Sequence, residues 1–290
     1  MPRWLESLLA AAQSVLPQHA LSAGVHRLMR VETPWVKNAL IRNIGRTAGV
    51  NFDEALSADP EAYRSFNDFF TRSLRPGVRP VDPDPQALVS PCDGVISERG
   101  RLRQGRLLQA KGHDYSLQAL LADDPAVPAL RGGHFWTLYL SPKDYHRVHM
   151  PLAGTLRRMV YVPGKLYSVA PYTVRHVPGL FAVNERVVCV FEGEHGPFAQ
   201  VLVGAMLVGS MDTVWEGPVT PSRDRATRRW RYAPGEVALE RGEEMGRFNM
   251  GSTVITVLPP GAVKELADNA PGPGDAVRLG ERLALLAATS

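Results

Sequence analysis

Cysteine is scarce in this chain. Only Cys92 and Cys189 occur among 290 residues. No Cys-x-x-Cys exists, and the pair reads as two buried thiols of a reducing compartment rather than a disulfide. Cys92 lies beside Asp93, so a nucleophilic thiol stays in view. Long apolar runs are also missing. Residues 7–26 carry no Lys, Arg, Asp or Glu, yet Gln13, Pro17, Gln18 and His19 interrupt them. That is too polar and broken for a membrane span. Arg3 followed by Glu6 makes a poor signal-peptide start, and no long apolar stretch follows. There is no internal repeat, no low-complexity tract and no His-Glu-x-x-His motif. Neither sign of charge dominates: the net charge is +4. The isoelectric point near 9.2 suits an anionic surface as partner without identifying it.

Glycine and proline, by contrast, are abundant, 26 and 24 residues. Together they are about 17% of the chain against a usual ~12%, which predicts many turns and short strands. A chain of 290 residues can bury a core in one large domain or two small ones. Residues 1–50 read as amphipathic helices. Leu5, Leu8 and Leu9 have helical spacing, as do Leu21, Val25, Leu28 and Met29, and Val36, Leu40 and Ile44 form a third stripe. Six Lys or Arg face two Glu here, and Trp4 and Trp35 add interfacial side chains. Such a segment can lie in a membrane surface, or pack on its own domain or at a dimer contact. Residues 53–74 read as a further helical stretch. The Pro-rich connection 75–85 marks a domain boundary. Strand-like runs follow at 93–98, 105–110, 134–140, 147–162, 180–192, 198–208, 253–258 and 277–286. The expectation is an α+β protein. Residues 1–75 would form a helical membrane-associating region, and 86–290 a mainly antiparallel β-rich catalytic domain, sandwich- or barrel-like.

The stretch Met250-Gly251-Ser252-Thr253 can be a turn entering a buried strand. It can also carry chemistry. Gly251 has no Cβ, so its carbonyl carbon can be approached closely. A deprotonated Ser252 oxygen could attack it and shift the acyl group from nitrogen to oxygen. β-Elimination of the ester would leave dehydroalanine at 252, and hydrolysis would release ammonia and leave a pyruvoyl group.

Ser141-Pro142-Lys143-Asp144 has the pattern of a helix start, and His146 would end a single turn. His149 follows in an extended stretch cut by Pro151. Two His three positions apart can bind zinc, but the usual third ligand and continuous helix are lacking. His149 can instead serve as a general base towards Ser252, with Asp93 accepting its other ring N–H.

Three segments together resemble the phosphatidylserine decarboxylase family: Ser90-Pro-Cys-Asp-Gly94, Tyr139-Leu-Ser-Pro-Lys-Asp-Tyr-His-Arg-Val-His-Met-Pro151 and Gly251-Ser252-Thr253. Phe66-Asn-Asp-Phe-Phe-Thr-Arg72, Lys111-Gly-His-Asp-Tyr-Ser116 and Gly204-Ala-Met-Leu-Val-Gly-Ser210 agree in order. The likeness covers roughly 60–260. Met250 departs from the family's common Leu, a change of little volume. The resemblance implies that Asp93, His149 and Ser252 form a self-cleavage triad and that the bond cut is Gly251–Ser252. It implies that 1–251 and 252–290 become separate chains. The cofactor is then the pyruvoyl group made from Ser252, with no metal. The amine of phosphatidylserine would form a Schiff base with it, lose carbon dioxide and leave as phosphatidylethanolamine. His146 resembles the family histidine of substrate binding and decarboxylation; whether His146 or His149 returns the proton stays open. Implied partners are phosphatidylserine and an anionic membrane surface, at the cytoplasmic side of the cell membrane and without nucleic acid, and a homodimer is left open. A serine hydrolase using the same three residues is the competing enzyme, although no Gly-x-Ser-x-Gly surrounds Ser252. A non-enzymatic peripheral membrane module is the other.

Overall fold

The computed structural model describes residues 2–110, 112–207, 210–222, 224–249, 252–266 and 270–288. Met250 and Gly251 lie outside the described residues. Three helices open the chain: α1 (Arg3–Ala12), α2 (Gln18–Met29) and α3 (Pro34–Ala48), the last ending on Gly49 in a left-handed cap. Residues 53–74 hold less helix than their pattern predicts. Asp59-Pro60 and Ser65 restart the chain, leaving two single 3₁₀ turns and the five-residue α4 (Phe66–Phe70).

The apolar stripe of α1 faces largely outward, and that of α2 is split, with Leu21 and Leu28 outward and Val25 and Met29 packed inward. In α1 the buried residues are Glu6 and Ala10, while Trp4, Leu8 and Leu9 are exposed. In α2, Gln18, Ser22 and Met29 are buried and Leu21 and Leu28 exposed. Polar side chains do the docking. Gln13, just past α1, accepts from Ser168 N–H at 2.8 Å and donates to Thr173 Oγ1 at 3.2 Å. Gln18 accepts from Leu166 N–H at 2.7 Å, and Glu6 pairs with Arg175 at 2.9 Å. In α3 the buried line runs through Lys37, Ile41 and Gly45, beside the half-buried Val36, Leu40 and Ile44. A Cβ on Gly45 would meet the Phe52 ring at 2.6 Å. Ile41 joins Phe66, Phe69 and Phe70 of α4 in a small core of its own.

The rest is β structure. The largest sheet has nine strands. Its path runs Arg228–Arg231, Gly154–Val162, Arg186–Gly193, Gly196–Val203, Ser252–Leu258, His134–Leu140, Gly94–Arg101 and Ala276–Val277, with Ala238–Leu239 pairing off Gly154–Val162. The named pairs are antiparallel. The α+β class and antiparallel pairing are as expected. Closure into a barrel is not: the sheet is open between its Arg228–Arg231 and Ala276–Val277 edges. The run predicted at 147–162 is broken at Pro151 into two strands of different sheets. Arg147–His149 lies in a four-stranded sheet with Glu244–Phe248, Met211–Thr213 and Gly217–Pro218.

Both faces of the large sheet are covered, with the period of two that strands require. Trp136, Leu138, Leu140, Val254 and Leu258 belong to one core, with Val148, Met150 and Cys92. Phe135, Ile255 and Val257 belong to the other. Ser252 therefore points to the same face as Val254, towards the sheet that carries His149.

The order of three central strands gathers the chain ends that matter. Ser252 pairs with Leu140, and Val95 pairs with Tyr139. Since Gly94–Arg101 and Ser252–Leu258 are both antiparallel to His134–Leu140, both begin at the end where that strand finishes. Asp93, the turn after Leu140 and Ser252 thus share one rim, the outer two about 10 Å apart at two strand spacings. Gly94 permits this closeness: a Cβ there would lie 2.5 Å from Tyr139 O. Gly94→Ala is expected to cost about 1–3 kcal/mol, the range of an overpacked core site. It should also displace Asp93. Urea unfolding of the variant that matches wild type would refute this reading.

Candidate active site

His149 sits on Arg147–His149, whose pairing with Glu244–Phe248 aligns it with Glu244. Its main-chain N–H donates to Pro91 O at 2.7 Å, which fixes it beside the Pro91-Cys92-Asp93 turn. Ring Nδ1 lies 2.8 Å from Gly242 O. A carbonyl only accepts, so Nδ1 carries the proton and Nε2 keeps a lone pair. Tyr145 OH donates to that Nε2 at 3.2 Å. Burial lowers the pKa of His149, against the Gly242 carbonyl and the charges of Glu244 and Asp93, which raise it. The ring is therefore neutral and basic at Nε2 near pH 7.

Asp93 is buried and fully engaged, but not with His149. Its carboxylate accepts from Arg79 Nε at 2.9 and 3.1 Å, from Arg79 Nη2 at 2.6 Å and from Leu279 N–H at 2.9 Å. Arg79 Nη2 also donates to Glu54 at 2.7 Å. Among the described residues the orienting acceptor of His149 is thus the Gly242 carbonyl, while Asp93 acts on the ring only through its charge.

His146 is wholly buried. Its Nδ1 donates to Asp144 O at 2.8 Å, and Phe70 lies over its ring at a centroid distance of 3.9 Å. Its Nε2 has no partner among the described residues. Burial depresses its pKa to about 3, the Asp144 carbonyl opposing and the charge of Arg72 assisting. Phe248 N–H donates to His146 O at 3.0 Å, tying the histidine to the strand that leads into Ser252. In place of the expected helical turn there is a tight turn, Asp144 N–H donating to Ser141 O at 3.0 Å, with the Asp144 carboxylate accepting from Ser141 N–H and Oγ at 2.7 Å.

Ser252 opens the central strand, fully buried, and its Oγ has no partner among the described residues. An unpaired buried hydroxyl costs roughly 1–3 kcal/mol and calls for a reason. Asn249, three residues earlier, is clamped on all sides. Its N–H donates to Ser210 O at 3.0 Å, and its Nδ2 to Ser210 Oγ at 2.8 Å and Asp212 at 3.0 Å. Its Oδ1 accepts from Asn67 of α4 at 3.0 Å. Cys92, the other nucleophile in view, is buried, and burial with the nearby Asp93 and Asp144 charges holds its thiol protonated.

The sequence points to Asp93, His146, His149 and Ser252, and the structure places them along one rim. The sequence does not point to Arg79, Glu54, Tyr145, Asn249 or the carbonyl of Gly242. Arg79 could have been suspected as a cation in the Pro-rich connection close before Asp93. A main-chain carbonyl leaves no signal.

A family model for phosphatidylserine decarboxylase matches residues 66–285, and a second model, described as PSD, matches residues 8–46. The relative from Polaromonas naphthalenivorans is 52% identical over 289 residues, covering 98% of this chain and 99% of its own length. That from Bordetella avium is 50% identical over 282 residues, covering 97% and 95%. That from Azotobacter vinelandii is 53% identical over 257 residues, covering 87% and 90%. Each is named phosphatidylserine decarboxylase proenzyme. This chain belongs to the phosphatidylserine decarboxylase family.

The depressed pKa of His146 has a consequence for stability. Its folded value of about 3 lies below the ordinary 6.5. Between those values the unfolded chain binds a proton that the folded chain refuses. Stability is therefore complete above about pH 6.5 and is lost as pH falls, by up to about 1.4 kcal/mol per unit from this group. In a Ser252→Ala chain the urea midpoint should fall further between pH 7 and pH 5 than in the same chain with His146→Asn. Equal falls would show that the folded site accepts the proton.

Proposed function

We propose that this chain is the precursor of an enzyme that decarboxylates phosphatidylserine to phosphatidylethanolamine, and that it matures by cutting itself between Gly251 and Ser252. The observation that carries the reading is the buried, unpartnered Oγ of Ser252 at the first residue of the central strand. His149 Nε2 takes the Ser252 proton once Tyr145 OH gives way, and the oxygen attacks the Gly251 carbonyl. The acyl group moves from nitrogen to oxygen. Elimination breaks the ester and leaves Gly251 with a carboxylate and 252 as dehydroalanine. Water then displaces ammonia, and a pyruvoyl group remains on the nitrogen of Thr253. The imidazolium formed at His149 is stabilised by the Gly242 carbonyl and by the charge of Asp93.

The pyruvoyl group supplies a carbonyl for the substrate amine and an electron sink for the bond that breaks. Ser252 fits this use, being sheltered from water at the end of a rigid strand. His146, neutral and with its Nε2 lone pair unpartnered among the described residues, accepts a hydrogen bond from the bound substrate and supports its decarboxylation. A serine hydrolase using Asp93, His149 and Ser252 is the second reading, and the lack of a Gly-x-Ser-x-Gly around Ser252 counts against it.

Ser252→Ala is expected to give one full-length, inactive chain where wild type gives pieces of about 28 and 4 kDa (at ~110 Da per residue). His149→Ala should slow cutting by ~10²–10⁴, and Asp93→Asn should slow it as well. His146→Ala should still cut but lose most decarboxylation. A denaturing gel and the mass of the small chain read all four. Normal cutting in His149→Ala would remove it as the base.

Residues 1–75 serve as the membrane-associating region of a peripheral enzyme on the cytoplasmic side, and 86–290 as the catalytic domain. No helix among the described residues is long and apolar enough to cross a membrane. The outward apolar residues of α1 and α2 support surface contact instead. Trp4, Leu8 and Trp35 are 68%, 59% and 77% exposed. Trp4→Ala with Trp35→Ala should weaken sedimentation with anionic liposomes, on the order of tenfold, and leave self-cleavage intact. Added salt should reduce wild-type binding partly, by screening the basic residues alone. Unchanged sedimentation of the double variant would move the membrane contact elsewhere.

A further inference from the structure

Arg72 ends the Phe-Phe-Thr-Arg segment and is 4% exposed. Its guanidinium is permanently charged and has five N–H donors. Among the described residues its Nη2 donates to Lys143 O at 3.2 Å, while Nε and Nη1 have no partner. The Phe69 ring lies 5.3 Å from its central carbon. Nearby carboxylates do not relieve it: both oxygens of Asp93 and one of Glu54 are engaged by Arg79, and the other Glu54 oxygen faces Arg278. A buried cation with spare donors is expensive, and natural sites keep one where an anion completes it.

Its position says which anion. Lys143 lies on the turn that carries His146, the Phe70 ring covers the His146 ring, and Arg147 Nε donates to Thr71 O at 2.9 Å. The segment 70–72 therefore runs along the His146 turn. Buried atoms of this rim without a partner among the described residues include His146 Nε2 and Ser252 Oγ, both on uncharged groups. Arg72 brings a buried full positive charge with free donors to this rim.

We propose that Arg72 binds the phosphodiester of the substrate; this rests on the reading of the chain as a phosphatidylserine decarboxylase. Guanidinium and phosphate make strong charge-assisted hydrogen bonds. The substrate carboxylate is the other anion, but it leaves as neutral carbon dioxide. A cation gripping it would stabilise the reactant more than the transition state and slow the reaction. The phosphodiester keeps its charge from substrate to product, so a grip there holds the lipid throughout and acts on binding alone. Arg72 is thus a handle for the headgroup, with its effect in KM.

The test uses the full chain with Arg72→Gln and Arg72→Lys. Self-cleavage on a gel first reports folding. Decarboxylation of soluble dihexanoyl phosphatidylserine then gives KM and kcat, and inhibition by dihexanoyl phosphatidylethanolamine, which has the phosphate and no carboxylate, gives the second arm. Arg72→Gln should raise KM and the inhibition constant together, about tenfold or more, with kcat within about threefold; Arg72→Lys should fall between. If Arg72→Gln does not mature, Arg72→Lys decides by the same two constants. A rise in KM with unchanged inhibition would assign Arg72 to the carboxylate and overturn the proposal. So would a fall in kcat alone, unchanged constants, or failure of both variants to mature, which would make Arg72 a folding element. A matured wild type that releases no carbon dioxide from phosphatidylserine would refute the underlying reading instead.

Discussion

The site depends on the Ser252–Leu258 strand being hydrogen-bonded on both sides. His134–Leu140 pairs with it along its whole length, and Gly196–Val203 along Thr253–Val257. All seven of its residues are buried. Its first residue therefore has a fixed place, and the chain before it must arrive from the neighbouring sheet through the clamped Asn249. The local hydroxyl inherits its position from the ladder rather than from bonds of its own. That division suits a nucleophile, which must be held without being satisfied.

The same separation of position from chemistry governs the histidines. Carbonyls of Gly242 and Asp144 take the Nδ1 protons; the Nε2 lone pair of His149 accepts from Tyr145 OH, and that of His146 has no partner among the described residues. Burial keeps both rings neutral, most strongly at His146. The carboxylate that sequence spacing offers as the partner of His149 is instead locked by Arg79 and Leu279. It contributes a field where a hydrogen bond was expected. One five-residue strand, Glu244–Phe248, connects the two arrangements. It follows Gly242, which sets the tautomer of His149, and its last residue bonds His146 O before the chain reaches Ser252.

Much of this was readable beforehand, for physical reasons. The β-branched run at 253–257 announces a buried strand, and Asp93, His146, His149 and Ser252 stand in motifs whose chemistry is legible residue by residue. What gathers them is the order of strands in the large sheet, and local pattern does not encode order. Pro151 broke a run that alternation alone would have continued. Residue spacing shows the stripes of α1 and α2 but not the direction they face. Apolar residues usually face inward; here Gln13, Gln18 and Glu6 find donors on the β domain and turn Leu8, Leu21 and Leu28 outward. The small core of α3 and α4 lies against His146 through Phe70, a long-range contact that no spacing rule could supply.

The central position of Ser252–Leu258 has a further meaning if the bond before it is cut. The severed piece, 252–290, supplies the middle of the nine-stranded sheet, its Ala276–Val277 edge and two strands of the Ala87–Val89 sheet. The fold is assembled while the chain is continuous, when joining those strands is an intramolecular event. Afterwards the same arrangement would have to be rebuilt from two bodies, one of them only 39 residues long. The processed protein would then persist because it unfolds slowly, not because it can find its shape again. Its lifetime would be set at birth, and a single melting would be final.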